Sequence, residues 1–235
     1  MVDIHSHIIP FVDDGSKSMS ESINLLIDAI KQGTTDIICT PHYRKRMFEK
    51  TKTEIIDNFN SLKAEVEKYG LKINLYLGQE IYCKSMNELD EYLQSDNFIV
   101  MNYQNNKSSK FLLLEFSVNN DTDISEIAYT TCIRGYVPII AHVERYSYIS
   151  LDDIKEIKQN ALIQVNASSI VGAEGRSNKK RAMDYIVNGV VDFVSSDVHE
   201  NKKNYLKKAY GIVKNKFGGD LAKYLFEINA SKIIY

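Results

Sequence analysis

Residues 2–15 read VDIHSHIIPFVDDG. A short run, Val2–His5, leads into a His-x-His pair, His5 and His7, and then into a loop that opens at Pro10 and carries Asp13, Asp14 and Gly15. Side chains two apart on an extended chain point to one side, so both imidazoles leave the strand end together and can grip one metal. Asp-Asp-Gly taken alone is turn chemistry. Just downstream of an H-x-H, it places Asp14 within reach of a metal while Gly15 gives the backbone its turn.

The remaining histidines repeat the arrangement. His42 lies in CTPHY, His142 in AHVER and His199 in SSDVH, each just after a short apolar run, and with His5 and His7 they account for all 5 histidines in the chain. Asp197 and His199 have the alternate-residue spacing of the first pair. Glu80 closes INLYLGQE and Glu115 lies in FLLLEFS, between Leu114 and Phe116. A glutamate inside an apolar strand is costly unless paired or bound to a metal. Imidazole nitrogen mixed with carboxylate oxygen suits Zn, Mn or Fe better than Ca or Mg. Arg145, three residues after His142, has the planar fork that matches phosphate oxygens.

The apolar runs Val2–His5, Asp36–Thr40, Ile73–Leu77, Phe111–Glu115, Val137–Ala141, Leu162–Val165 and Val191–Ser195 show little polar alternation, as strands buried on both faces should. Helical patterns separate them. Ile23, Leu26, Ile27 and Ile30 share a face, with capping-box spacing at Ser18 and Glu21 and a stop at Gly33. Ile55, Phe59, Leu62 and Val66 do the same between Thr51/Glu54 and Gly70. Further helices are expected over Ser85–Leu93, Ile124–Arg134, Leu151–Asn160, Asn178–Asn188, Lys202–Lys216 and Leu221–Ile228. Seven strands alternating with helices predict an α/β fold with a parallel sheet. Candidate ligands end six of the seven strands, and closure into a TIM-like barrel brings those ends to one mouth. The polar stretch 102–110 reads as a loop, so residues 1–235 are expected to form a single domain.

Composition excludes several classes. Net charge is −2 with both signs interspersed, which offers no long-range attraction to nucleic acid or an anionic membrane. No apolar run reaches the roughly 20 residues of a membrane span, and the first residues lack the basic and apolar regions of a signal peptide. Cys39, Cys83 and Cys132 have no C-x-x-C spacing and read as reduced thiols of a cytoplasmic protein. Arg44 and Arg46 miss the six-residue spacing from Cys39 that a cysteine-nucleophile phosphatase needs. There is no Walker A and no G-x-G-x-x-G. The residues alone point to a polynuclear metal hydrolase. A regulatory barrel that only binds a partner is the competing reading, and a full ligand set speaks against it, since such groups are costly to bury without metal.

The strings HSHI and DDG, with TPHY, GQEIY, LLLEFS, PIIAHVERY and SSDVH, resemble the polymerase and histidinol phosphatase (PHP) superfamily. More narrowly they are similar to its bacterial capsule and exopolysaccharide protein-tyrosine phosphatase branch, over essentially the whole chain. The resemblance implies a distorted seven-stranded (β/α)7 barrel, the PHP fold, with three metal ions, usually manganese, iron or zinc being the other candidates. It implies that His5, His7, Glu80 and Asp197 hold the first ion, that Glu80 bridges to a second completed by Glu115 and His142, and that Asp14, His42 and His199 hold the third. Arg145 would contact the phosphate. The implied substrate is the phosphotyrosine-bearing tail of a membrane-associated bacterial tyrosine kinase, whose dephosphorylation regulates polysaccharide assembly; histidinol phosphate is the alternative. The chain departs from the branch after Asp197-x-His199: an Arg-Pro is common there, and here Lys202 and Lys203 stand instead.

Overall fold

The computed structural model describes residues 1–95, 97–103, 109–200 and 202–235, so residues 104–108 of the polar loop 102–110 lie outside the described residues. Among the described residues nine strands run in order: β1 Val2–Asp3, β2 Asp36–Cys39, β3 His42–Tyr43, β4 Asn74–Leu77, β5 Glu80–Tyr82, β6 Lys110–Glu115, β7 Tyr136–Ile140, β8 Leu162–Asn166 and β9 Phe193–Ser195. Every pairing between them is parallel. They form a three-stranded sheet, β1-β2-β4, and a six-stranded sheet, β3-β5-β6-β7-β8-β9.

Seven continuous strands were expected; two are interrupted. β2 passes into β3 across Thr40 and Pro41, and a proline has no N–H for the ladder. β4 passes into β5 across Gly78 and Gln79. A Cβ on Gly78 would lie 2.7 Å from Met101 Cγ, so glycine is what lets Met101 pack there. Single hydrogen bonds bridge the break: Gly78 N donates to Cys39 O at 2.8 Å and Glu80 N to Pro41 O at 3.1 Å. At the other seam Ser6 and Val198 form a parallel bridge. There His7 N donates to Val198 O and Asp197 N to His5 O, at 3.0 and 2.9 Å.

Helices cover Met19–Gln32, Lys52–Lys68, Met86–Ser95, Ile124–Ile133, Leu151–Ile157, Arg176–Val187 and Leu206–Phe217. A short helix, Ala167–Val171, directly after β8 was not expected. Thr51 and Glu54 make the reciprocal capping box. Ser18 caps Glu21 N, but Glu21 Oε2 accepts from Lys17 N at 2.7 Å rather than closing the box on Ser18. The helix expected over Lys202–Lys216 starts at Leu206, whose N–H donates to Asn204 Oδ1 at 3.0 Å. The last helix is longer than expected: Gly219–Lys223 continues through a π turn, Tyr224–Ile228, into Asn229–Ile234. Its Ala230, Ile233 and Ile234 pack with Val2, Ile4, Ile38, Leu113, Ile139 and Phe193. Burial of each large side chain there contributes about 1.5–3 kcal/mol. No helix among the described residues is long and apolar enough to cross a membrane.

Candidate metal centre

β5 starts at Glu80 and β6 ends at Glu115, while His5, His7, His142, Asp197 and His199 follow the ends of β1, β7 and β9. Leu113 packs in the core and Glu115, two residues on, shares its face. The structure brings all nine expected carboxylates and imidazoles together. His5 Nε2 and His7 Nε2 are 3.2 Å apart, each is 3.2 Å from Glu80 Oε2, and they lie 3.6 and 3.5 Å from Asp197 Oδ1. Ligands about 2.1 Å from a tetrahedral ion are about 3.4 Å apart, so these four atoms have the spacing of one coordination shell. Glu80 Oε1 and Glu115 Oε1 lie 3.0 and 3.8 Å from His142 Nε2. His42 Nδ1 is 3.0 Å from Glu80 Oε2 and 3.7 Å from Glu115 Oε2. Asp14 Oδ1, at the exposed rim, faces His42 Nε2 at 3.6 Å and His199 Nε2 at 3.5 Å. His42 thus stands between two groups, one with Glu80 and Glu115 and one with His7, Asp14 and His199.

The donor set fits divalent metals on a second count. Glu80 Oε2, Glu115 Oε2 and His42 Nδ1 are buried without a hydrogen-bond partner. Such atoms are expensive to leave unpaired, and a shared cation would satisfy all three. Charge follows the same logic. Burial works against an ionised Glu80, yet the facing His5 and His42 rings hold its carboxyl well below 4.5. Burial and then repulsion from Glu80 push Glu115 up to about 7. Burial, reinforced by Arg145, lowers His142 to about 4, which leaves a neutral ring able to ligate. His199 contacts Asp14, and that hydrogen bond foremost holds the Asp14 carboxyl at about 2.

A supporting shell orients the rings, and the sequence reading missed most of it. His7 Nδ1 donates to Asp13 Oδ2 at 2.7 Å, His5 Nδ1 to Gln164 Oε1 at 3.2 Å and His199 Nδ1 to Asp197 O at 3.0 Å. In each case Nε2 is left with its lone pair for the cluster. Gln164 Nε2 donates to Asn166 Oδ1, and Asn166 Nδ2 to Asp197 Oδ2, both at 2.8 Å. Gln164 Oε1 also accepts from His142 N at 2.7 Å. β8, which supplies no ligand, therefore fixes three of them. Its signal was two amides at alternate positions in an otherwise apolar strand. Gly15 is needed for space: a Cβ there would lie 2.2 Å from His7 O.

Two cations rim the cluster. Arg145 Nη1 is 3.8 Å from Asp197 Oδ2, and its Nε is 4.0 Å from Glu174 Oε2. Lys202 Nζ lies 3.4 Å from the same Asp197 oxygen, whereas Lys203 points its Nζ over the Tyr205 ring. Of the two lysines, Lys202 is the one that reaches the cluster.

Parallel α/β sheets whose strand ends converge on a buried imidazole–carboxylate cluster define a class, that of proteins built to hold divalent metals at one mouth. Over residues 1–235 the chain matches the family described as "Capsular polysaccharide synthesis, CpsB/CapC", and it belongs to that family. It is 34% identical to the tyrosine-protein phosphatase CpsB of Streptococcus agalactiae serotype III, over 100% of this chain and 98% of the relative. Identity to CpsB of Streptococcus pneumoniae is 32%, again over 100% of this chain and 98% of the relative. Among solved structures, one from work on YwqE of Bacillus subtilis and CpsB of Streptococcus pneumoniae, described as metal-dependent tyrosine phosphatases, superimposes with a TM-score of 0.87. It is 26% identical and the match covers 100% of this chain and 94% of that one. The histidinol phosphate phosphatase of Lactococcus lactis has the same fold, with a TM-score of 0.59 at 14% identity over 96% of each chain.

Proposed function

We infer that the protein is a metal-dependent protein-tyrosine phosphatase, a phosphomonoester hydrolase of capsular polysaccharide synthesis. The observation that carries this is the buried cluster of imidazoles and carboxylates with Arg145 and Lys202 at its rim. Cations placed over a metal-ligand set suit a dianionic phosphate ester. We propose that His5, His7, Glu80 and Asp197 hold one ion, Glu80, Glu115 and His142 a second, and Asp14, His42 and His199 a third, manganese being the preferred metal. Bound divalent metal supplies an acidified water and neutralises charge on the phosphoryl oxygens.

The chain's own residues do the rest. Asp13, Gln164 and the Asp197 carbonyl hold the Nδ1 protons of His7, His5 and His199, which fixes ring orientation. Arg145 leaves Asp197 to grip the incoming phosphate with its fork, and Lys202 adds a second positive charge without one. Burial of Glu80 and His142 keeps bulk water from competing for the cluster. The two sheets, joined at Ser6–Val198 and across Gly78, act as one distorted (β/α)7 barrel, and residues 1–235 as one catalytic domain. The partner is the phosphotyrosine-bearing tail of a membrane-associated tyrosine kinase, met in the cytoplasm.

The test is turnover of a phosphotyrosine peptide against histidinol phosphate by Mn-loaded protein. Preference for the peptide is expected. Preference for histidinol phosphate would make the protein a small-molecule phosphatase on the same site.

A further inference from the structure

The turn after β3 is not used by the chemistry above. Residues 44–48, Arg-Lys-Arg-Met-Phe, fold back on themselves: Arg44 N donates to Phe48 O at 3.0 Å and Phe48 N to Arg44 O at 2.8 Å. Arg46, near the tip, takes a φ of 66°, a left-handed conformation that a non-glycine residue keeps only when its surroundings hold it. Two ring contacts tie the turn to the site. Phe48 lies flat against His42, with centroids 5.4 Å apart and planes 9° apart. The Arg44 guanidinium sits 4.0 Å over the Tyr82 ring. Tyr82 is two residues past Glu80 on β5 and so faces the same side, further out toward the mouth. Lys45 is spent on Glu91, at 2.6 Å, which anchors the turn to helix Met86–Ser95. Arg46 and Met47 are exposed.

On the adjoining flank of the mouth, past β6, the sign of charge reverses. Tyr148 donates to Ser117 O just past β6, and the cavity it shares is lined by Asp121, Asp123, Asp153 and Glu156. An anionic chain is therefore repelled on the β6–β7 flank and attracted on the β3–β5 flank. Arg44 is already stacked on an aromatic face, so its fork loses little freedom on meeting an anion.

We propose that the turn 44–48 is a recognition arm for the substrate polypeptide, taking anionic side chains that flank the reacting phosphotyrosine. This rests on the phosphatase reading above. The arm positions substrate and sets sequence preference; it takes no part in the bond-breaking step.

The experiment uses the Mn-loaded full chain and two phosphotyrosine peptides that differ only in Glu or Gln at the flanking positions, with p-nitrophenyl phosphate as a probe of the metal site alone. The ratio of kcat/KM for the Glu peptide over the Gln peptide should exceed one, by about 2- to 5-fold per exposed contact, and should fall with added salt. Arg46→Gln should lower the ratio and Arg46→Glu should invert it. Lys50→Gln, which breaks an exposed pair with Glu54 on the next helix, should leave the ratio unchanged. Because Arg46 is exposed, these variants should melt like the parent, and a melting curve checks that. Equal kcat/KM for both peptides in the parent protein overturns the arm and leaves the phosphatase reading standing. No turnover of either peptide or of p-nitrophenyl phosphate overturns that reading and the arm with it. Loss of binding to phosphatidylserine vesicles in Arg46→Glu, with the peptide ratio unchanged, makes the turn a membrane contact and also overturns the arm.

Discussion

Asp13→Asn is the most informative single change, because Asp13 touches the candidate metal site only through two histidines, the ring of His7 and the backbone N–H of His42. Its Oδ2 accepts from His7 Nδ1 at 2.7 Å and from His42 N at 2.9 Å, and its Oδ1 accepts from Gly15 N at 2.9 Å. Three donors thus converge on two acceptor oxygens. Asparagine offers one oxygen and one NH2, so whichever way it turns, an N–H faces an N–H. The variant therefore loses at least one hydrogen bond in a buried setting, and the His7 bond loses its charge assistance. Hydrogen bonds to charged groups contribute about 1.5–3 kcal/mol. Loss of a partner that orients a ligating histidine costs about 10- to 100-fold in metal affinity, which is about 1.4–2.8 kcal/mol. The assay is calorimetric titration of metal-stripped protein with Mn or Zn, alongside turnover at rising metal. Asp13→Asn should bind 10- to 100-fold more weakly, by the same principle, and should regain much of its activity at excess metal. An unchanged dissociation constant with a lowered melting temperature would show that Asp13 only holds the loop, and would refute the reasoning.

Three further outcomes are expected. Arg145→Ala should keep its metal while turnover falls by about 30- to 1000-fold, the effect of losing about 2–4 kcal/mol from one preorganised donor; Arg145→Lys should recover part of that, and paired metal analysis and kcat/KM decide it. Iodoacetamide should leave activity intact and EDTA should abolish it, because burial pushes the Cys83 thiol up to about 12 and raises Cys39 as well; the reverse pattern would exclude a metal mechanism. In the metal-free protein His5, His7 and His42 titrate above 6.5, because Glu80, with Asp13 beside His7, outweighs the opposing effect of burial. A raised imidazole pKa stabilises the fold fully below about 6.5, and that gain is lost as pH rises through the folded value. Metal displaces those protons, so the rise in melting temperature on adding Mn should grow as pH climbs above about 6.5; a rise that shrinks as pH climbs from there contradicts this.

What could be read in the sequence were groups whose placement is expensive. Glu115 between Leu114 and Phe116, and histidines that only ever follow apolar runs, announce themselves because nothing ordinary explains them. Asp13 and Asp14 show where this stops. Both stand in one loop with the same chemistry, and the sequence reading gave the metal-facing role to Asp14 alone. In the structure Asp14 lies at the rim facing His42 and His199, while Asp13 is buried behind His7. Which neighbour faces which way depends on the close approach of Gly15 to the His7 backbone, a contact that no local pattern encodes. Gln164 and Asn166 were legible in principle, as two amides on one face of a buried strand. Amides bind hard divalent metals weakly, so their pattern signals no metal site; they aim the ligands His5, His142 and Asp197 through hydrogen bonds instead. The short helix Ala167–Val171 fails for another reason: five residues are too few for a helical period to show.

The places where the fold departs from regularity coincide with the candidate site. The first interruption lies between β2 and β3, and His42 is the first residue beyond it. The second lies between β4 and β5, and Glu80 is the first residue beyond that. His142 and Asp197 take φ values of 32° and 49°, left-handed conformations that a side chain adopts at a cost of order 1–3 kcal/mol. An unbroken ladder would send alternate side chains to opposite faces in strict order. Convergence on one oxygen of Glu80 by three imidazoles, two that follow β1 and one that opens β3, needs that order relaxed where each side chain enters. The strain is stored by elements that are otherwise consistent: the parallel ladders β6-β7 and β8-β9, the inward-facing Ile4, Ile38, Leu113, Ile139 and Phe193, and the C-terminal helix packed against them. Local rules break where a site is being assembled and hold where the core sustains it. The interruptions at Pro41 and Gly78 are in that sense part of the cluster's architecture, as much as the ligating atoms themselves.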